Sequence, residues 1–194
     1  DKPEGPYSKP AIIDEDGIDP SIFNDDDGRR YMLLNRGARI FELNEDATKQ
    51  ISKAELLFYG DNKRAPEGPH LLKKDGYYYL FASTGTCCEG LKSTYQTVVG
   101  RSSSLWGPYL DKQGRSMLDN NHVVLIHKNK SFVGTGHNAE LITDKANNDW
   151  ILYHGVSVSN PHGRVLLLDR VDWRKGWPVV KSSSASTESP KPNF

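Results

Sequence analysis

IDPSIFNDDDGRRYMLL (residues 18–34) and PEGPHLLKKDGYYYLFA (residues 66–82) are two copies of one pattern. In each, an apolar run stops at an acidic turn ending in glycine and resumes at an aromatic. Asp-Gly between such runs is the strongest short hairpin signal. Asp19 and Glu67 each stand nine positions before the turn glycine, Gly28 or Gly76, and Tyr31 or Tyr79 follows that glycine by three. A looser third copy, GHNAELITDKANNDWILYHG (residues 136–155), carries His137 in the place of the carboxylate. The three heads are 48 and then 70 residues apart, near the length of a four-stranded propeller blade, the second with an insertion. Blades are related by rotation about one axis, so equivalent register positions face one cavity. Asp19, Glu67 and His137 are therefore expected to converge in a central funnel.

Working outward, the chain reads as strand and turn. Only NEDATKQISKAELLFY (residues 44–59) could host a short helix, and it fits a loop leading into a strand equally well. GPY occurs twice, at Gly5–Tyr7 and Gly107–Tyr109, each time where an outer strand closes before a new repeat head. Residues 1–18 then read as the end of a first blade and its connection, 19–66 as a second blade and 67–118 as a third. Residues 119–180 read as the fourth and fifth blade region, and the Ser/Pro-rich residues 181–194 as a loose terminal tail. The expectation is an all-β β-propeller whose first blade is largely missing from this chain. The absent segment is expected as another chain or a further piece, because a missing inner strand leaves open edges.

Composition excludes several classes. Lys+Arg and Asp+Glu number 25 each and are scattered, which leaves no basic footprint for nucleic acid or an anionic membrane surface. No apolar run approaches the roughly 20 residues of a membrane span. Cys87 and Cys88 are adjacent, cannot staple distant segments, and read as buried thiols. Asp25, Asp26 and Asp27 resemble part of a calcium loop but lack its later Glu, so they read as an exposed hairpin tip. No G-x-S-x-G elbow supports a serine nucleophile.

Two carboxylates facing one pocket are the equipment of glycoside hydrolysis: one protonates the leaving oxygen while another activates water or attacks the anomeric carbon. A poorly solvated funnel with a second carboxylate nearby favours retention of the acid's proton. Pro66 and Pro69 restrict the backbone around Glu67, and Gly68 permits close approach. Tyr77, Tyr78, Tyr79, Trp106, Trp150 and Trp173 could stack on sugars but read mostly as core.

IDPSIF, PEGPHLLKKDGYYYLF and the run CCEGLKSTYQTVVGRSSSLWGPYLDKQGRSML, followed by GTGHN, resemble glycoside hydrolase family 43 over residues 5–180, and its arabinanase branch most. The resemblance implies an all-β, five-bladed β-propeller, and an extracellular or periplasmic enzyme that cleaves α-L-arabinofuranosyl linkages of arabinan, or of related plant cell-wall polysaccharide, with inversion. It implies Glu67 as general acid and Asp19 as the carboxylate that tunes the acid and orients substrate. His137 matches a residue that helps hold a calcium ion in the central channel, largely through waters. The general base matches an Asp upstream of this chain, so the chain alone is expected to be inactive. HGRVLLLDRVDWRKGWP is closer to the xylosidase and arabinofuranosidase branches, in which an Arg at the position of Arg164 contacts the sugar. The alternatives are a β-xylosidase, an arabinoxylan-directed arabinofuranosidase, or a non-catalytic sugar-binding propeller.

Overall fold

Three antiparallel meanders follow one another in the computed structural model, which describes residues 2–7, 9–60 and 65–194. The first is β1 (Ser21–Asn24), β2 (Arg30–Leu34), β3 (Arg39–Leu43) and β4 (Glu55–Leu56). The second is β5 (Glu67–Lys74), β6 (Tyr77–Thr84), β7 (Gln96–Ser102) and β8 (Val123–Ile126). The third holds β9 (Phe132–Gly136), β10 (Ile142–Thr143), β11 (Asp149–Ser157), β12 (Arg164–Arg174) and β13 (Trp177–Val180). Within it β11 pairs with β12 along one edge and with β9 and β10 along the other. A parallel bridge from Gln96 to Thr135 ties it to the second meander. Residues 119–180 thus contribute β8 to the second meander and one further meander. Apart from three single-turn 3₁₀ segments the described residues hold no helix, and residues 44–59 form a turn leading into β4.

The two hairpins differ in register by one place: the first closes at Asn24 and Arg30 and the second, more tightly, at Lys74 and Tyr77. Phe23 lies opposite Tyr31 and Leu72 opposite Tyr79, and both tyrosines are buried. Alternation then sorts the core, because successive strand side chains leave opposite faces. From β6, Leu80 and Ala82 pack with Phe23, Tyr31, Leu33 and Ile40 of the first meander. Tyr79 and Phe81 pack with Ile151, Tyr153 and Val171 of the third. The middle sheet is therefore buried on both faces, and each full burial of such a side chain contributes about 1.5–3 kcal/mol. Trp150 joins the core, whereas Tyr77 and Trp106 keep exposed faces; Trp106 sets its ring edge-on to Tyr31.

Three expectations are corrected. Asp25 is not at an exposed tip: its carboxylate is buried against the second meander, where it meets Lys73 Nζ at 2.5 Å and accepts from the Tyr78 hydroxyl at 2.6 Å. A hairpin tip at a sheet interface can be buried although a lone hairpin's cannot. Cys87 and Cys88 are not buried thiols but a disulfide between neighbours in the β6–β7 loop, with Cys88 exposed. The tail docks rather than hanging loose: Ala185 is buried with Ile126 and Val180, and Ser186 and Asn193 donate backbone N–H groups to Asp169 and Asp144. Both Gly-Pro bonds of the GPY motifs are cis; the second motif buries Tyr109 while the first leaves Tyr7 exposed.

Candidate active site

All three repeat heads meet. Each head region turns on a left-handed backbone residue, with φ of 56° at Asp19, 53° at Gly68 and 53° at His137, so the chain swings sharply there before entering the sheet. Non-glycine residues adopt this conformation seldom and at a cost. A register irregularity between Glu67 and His70 re-aims the start of β5. Gly68 is favoured for a second reason: a Cβ there would lie 3.2 Å from the His137 ring, closer than ordinary contact.

Asp19 is fixed from two sides. Its Oδ2 accepts from the Gly68 backbone N–H at 3.2 Å and from Asn35 Nδ2 at 3.3 Å, and Oδ1 stands 3.9 Å from His137 Nε2. The Ser21 hydroxyl adds a 2.5 Å bond to the Pro69 carbonyl. The first repeat head is thus pinned to the residues flanking Glu67, which sets the two carboxylates in one cluster with His137.

Sequence reading missed the residue that holds Glu67. Tyr95, at the foot of β7, donates its hydroxyl proton to Glu67 Oε2 at 2.8 Å, and its oxygen lies 3.4 Å from His137 Nδ1. Its ring lies on Gly136, where a Cβ would come within 2.4 Å. Burial, then the Glu67 carboxylate, raises the Tyr95 phenol far above its ordinary range, so it stays a proton donor. With that proton engaged on Glu67, the Tyr95 oxygen can accept from His137 when Nδ1 carries a hydrogen. The available signal was local: Gly136 stands immediately before His137 and so opens a ring-sized space beside it.

A second missed residue is His154 of β11. Its ring stacks on Tyr95 at 5.7 Å and lies 6.1 Å from His137. Burial, then the charges of Arg164 and His137, lowers it to about 4. Arg164 opens β12 and places Nη1 3.3 Å from His154 Nε2, so the arginine joins the group through a histidine rather than through a carboxylate.

A calcium site is not built by these residues alone. Among the described residues no group of three His, Cys, Asp or Glu side chains could hold a metal. His137 Nε2 and Asp19 Oδ1 supply one nitrogen and one oxygen, against the six to eight oxygens calcium takes.

Comparison with known proteins identifies the lineage. The Glycosyl hydrolases family 43 profile matches residues 1–178. The extracellular exo-α-(1→5)-L-arabinofuranosidase of Cellvibrio japonicus is 38% identical over 179 residues, 84% of this chain and 51% of that protein. A xylan 1,3-β-xylosidase from a Vibrio species is 30% identical across 98% of this chain and 39% of its own length. In structure, the Cellvibrio cellulosa α-L-arabinanase superposes with a TM-score of 0.78 at 36% identity, covering 84% of this chain and 56% of that one. A family 43 protein from Bacillus licheniformis superposes over the whole chain, and 37% of its own, with a TM-score of 0.81. The chain spans about half the length of the curated arabinan-directed relatives it matches. Built from β-meanders whose repeat heads bring two carboxylates together, the chain belongs to glycosyl hydrolase family 43.

Proposed function

We propose that the chain carries the acid half of an inverting glycosidase acting on α-L-arabinofuranosyl linkages of arabinan. The three meanders are blades of a five-bladed β-propeller, and Glu67 is the general acid. The observation that carries this reading is the Tyr95 hydroxyl on Glu67 Oε2, which fixes the carboxyl rotamer and leaves Oε1 for the leaving glycosidic oxygen. Asp19, tethered to Gly68, sets the field at the acid and offers Oδ1 to a sugar hydroxyl. Arg164 presents guanidinium N–H groups to the substrate.

In an inverting reaction the proton passes from Glu67 to the departing oxygen while water attacks from the opposite face. Among the described residues the bonded network around Glu67 contains one other carboxylate, Asp19, which is committed to positioning. The water-activating base is therefore assigned to a segment outside these residues, and this chain by itself is expected to turn over little substrate. A calcium ion belongs to this reading as one held at His137 with water completing its shell, and no step runs through it. The extracellular placement of the arabinan-directed relatives supports an extracellular site of action on plant cell-wall polysaccharide. In the described residues no helix is long and apolar enough to cross a membrane.

A β-xylosidase reading is favoured by one observation, the whole-chain likeness to the Vibrio xylosidase; parallel assays on arabino- and xylo-oligosaccharides separate the two. A sugar-binding propeller without catalysis predicts binding with no turnover. Glu67→Gln in the full-length protein is the central test. Loss of a general acid costs about 10²–10⁴-fold in rate, read as sugar released from arabinan, and unchanged release in that variant overturns the assignment.

A further inference from the structure

Arg164 is an exposed guanidinium that, among the described residues, has no carboxylate within ion-pair distance. Its polar side-chain neighbour is the ring of His154. The strand register explains the meeting. His154 pairs across β11 and β12 with Leu166, and Val156 pairs with Arg164, so the His154 and Arg164 side chains leave the same face two residues apart. On its other side His154 pairs with Gly136, the residue on which Tyr95 lies, and this seats the imidazole flat against Tyr95 with an interplanar angle of 15°.

Arginine has only donors, so Nε2 of His154 must accept, and a neutral imidazole then carries its hydrogen on Nδ1. That Nδ1 is buried and has no partner. A phenyl ring would pack on Tyr95 without leaving a buried polar atom unsatisfied, and such an atom costs free energy. The polar contact that accounts for an imidazole here is the one to Arg164.

We infer that His154 is a positioning residue that holds the Arg164 guanidinium at the rim of the Glu67 pocket, leaving its other N–H groups free to bind a substrate hydroxyl. A neutral acceptor suits this task better than a carboxylate would. A carboxylate takes an arginine bidentately, occupying the fork and neutralising its charge, whereas one imidazole nitrogen fixes a single N–H and leaves the rest to the sugar. The inference rests on the reading of this pocket as a sugar site.

Its test uses the full-length protein with arabino-oligosaccharides and separates the ring from its acceptor. His154→Phe keeps the stack on Tyr95 and removes the acceptor; His154→Gln loses the ring but returns an amide oxygen near the Nε2 position. The expected result for His154→Phe is a rise in KM of about 10-fold or more with kcat changed much less and thermal unfolding unchanged, and for His154→Gln a KM restored most of the way. In an Arg164→Ala background, His154→Phe should add nothing. Wild-type KM in His154→Phe, equal losses in the Phe and Gln variants, or full additivity with Arg164→Ala would each overturn the inference. If Glu67→Gln leaves turnover intact, the glycosidase reading itself has failed. If Glu67→Gln abolishes turnover while His154→Phe behaves as wild type, only the role of His154 falls.

Discussion

Removing one oxygen from Tyr95 separates the parts of the proposed acid. Tyr95→Phe keeps the ring on Gly136 and beside His154 but deletes the 2.8 Å donor to Glu67 Oε2. A hydrogen bond to a group that carries charge contributes about 1.5–3 kcal/mol, so the deletion is expected to lower kcat by roughly 10- to 100-fold. The effect should depend on the leaving group. A sugar alkoxide leaves only when protonated, so arabino-oligosaccharides report the full deficit. A 2,4-dinitrophenyl arabinofuranoside departs without protonation, so its deficit should shrink toward unity. Because burial and Glu67 both raise the Tyr95 phenol, the wild-type donor stays protonated across any practical assay range and the comparison needs no pH correction. Equal deficits on both substrates, or none on either, would refute the placement of Tyr95 behind the acid.

Two further outcomes follow from the packing. Burial works to raise the Asp25 carboxyl, but hydrogen bonds from Lys73, Tyr78 and the Asp26 amide prevail and hold it below 3.8. Its stabilisation is thus fully present above that value and is lost as pH falls through the lowered folded pKa. Asp25→Asn should destabilise the protein by about 1–3 kcal/mol at neutral pH, and the gap from wild type should close in acid; urea unfolding at several pH values measures both. The Cys87–Cys88 disulfide closes no loop of any length, so the chain-entropy stabilisation of disulfides does not apply. Replacing both cysteines by serine should change stability by less than about 0.5 kcal/mol, and a larger shift on thermal unfolding would show that the β6–β7 loop is held by that bond.

Register carried most of what the sequence disclosed. The nine-residue spacing from Asp19 to Gly28 and from Glu67 to Gly76 located two hairpins, buried Tyr31 and Tyr79 alike, and brought Asp19, Glu67 and His137 into one cluster. Tyr95 and His154 stayed hidden for a different reason. His154 sits on β11 and Tyr95 just ahead of β7, both in sequence that looks like ordinary core, and each acquires a role only through what folding sets beside it: His154 pairs across from Gly136, and the Tyr95 ring lies on that glycine. Asp25 was misjudged because exposure of a hairpin tip depends on the sheet stacked beside it, here the one bearing Lys73 and Tyr78. The tail was misjudged because, apart from buried Ala185, its anchors are main-chain groups of Ser183, Ala185, Ser186 and Asn193, which composition does not register.

The left-handed backbone at Asp19 and His137 bears on how mutagenesis of this pocket should be interpreted. Alanine at either position would remove a functional group and also place a Cβ-bearing residue without a local polar side chain in a conformation that costs about 1 kcal/mol. An alanine scan would thus inflate the apparent chemical worth of both residues with backbone strain. Asparagine tolerates that conformation and at Asp19 also nearly matches the shape, so its kinetic effect there would measure the lost charge with little backbone strain.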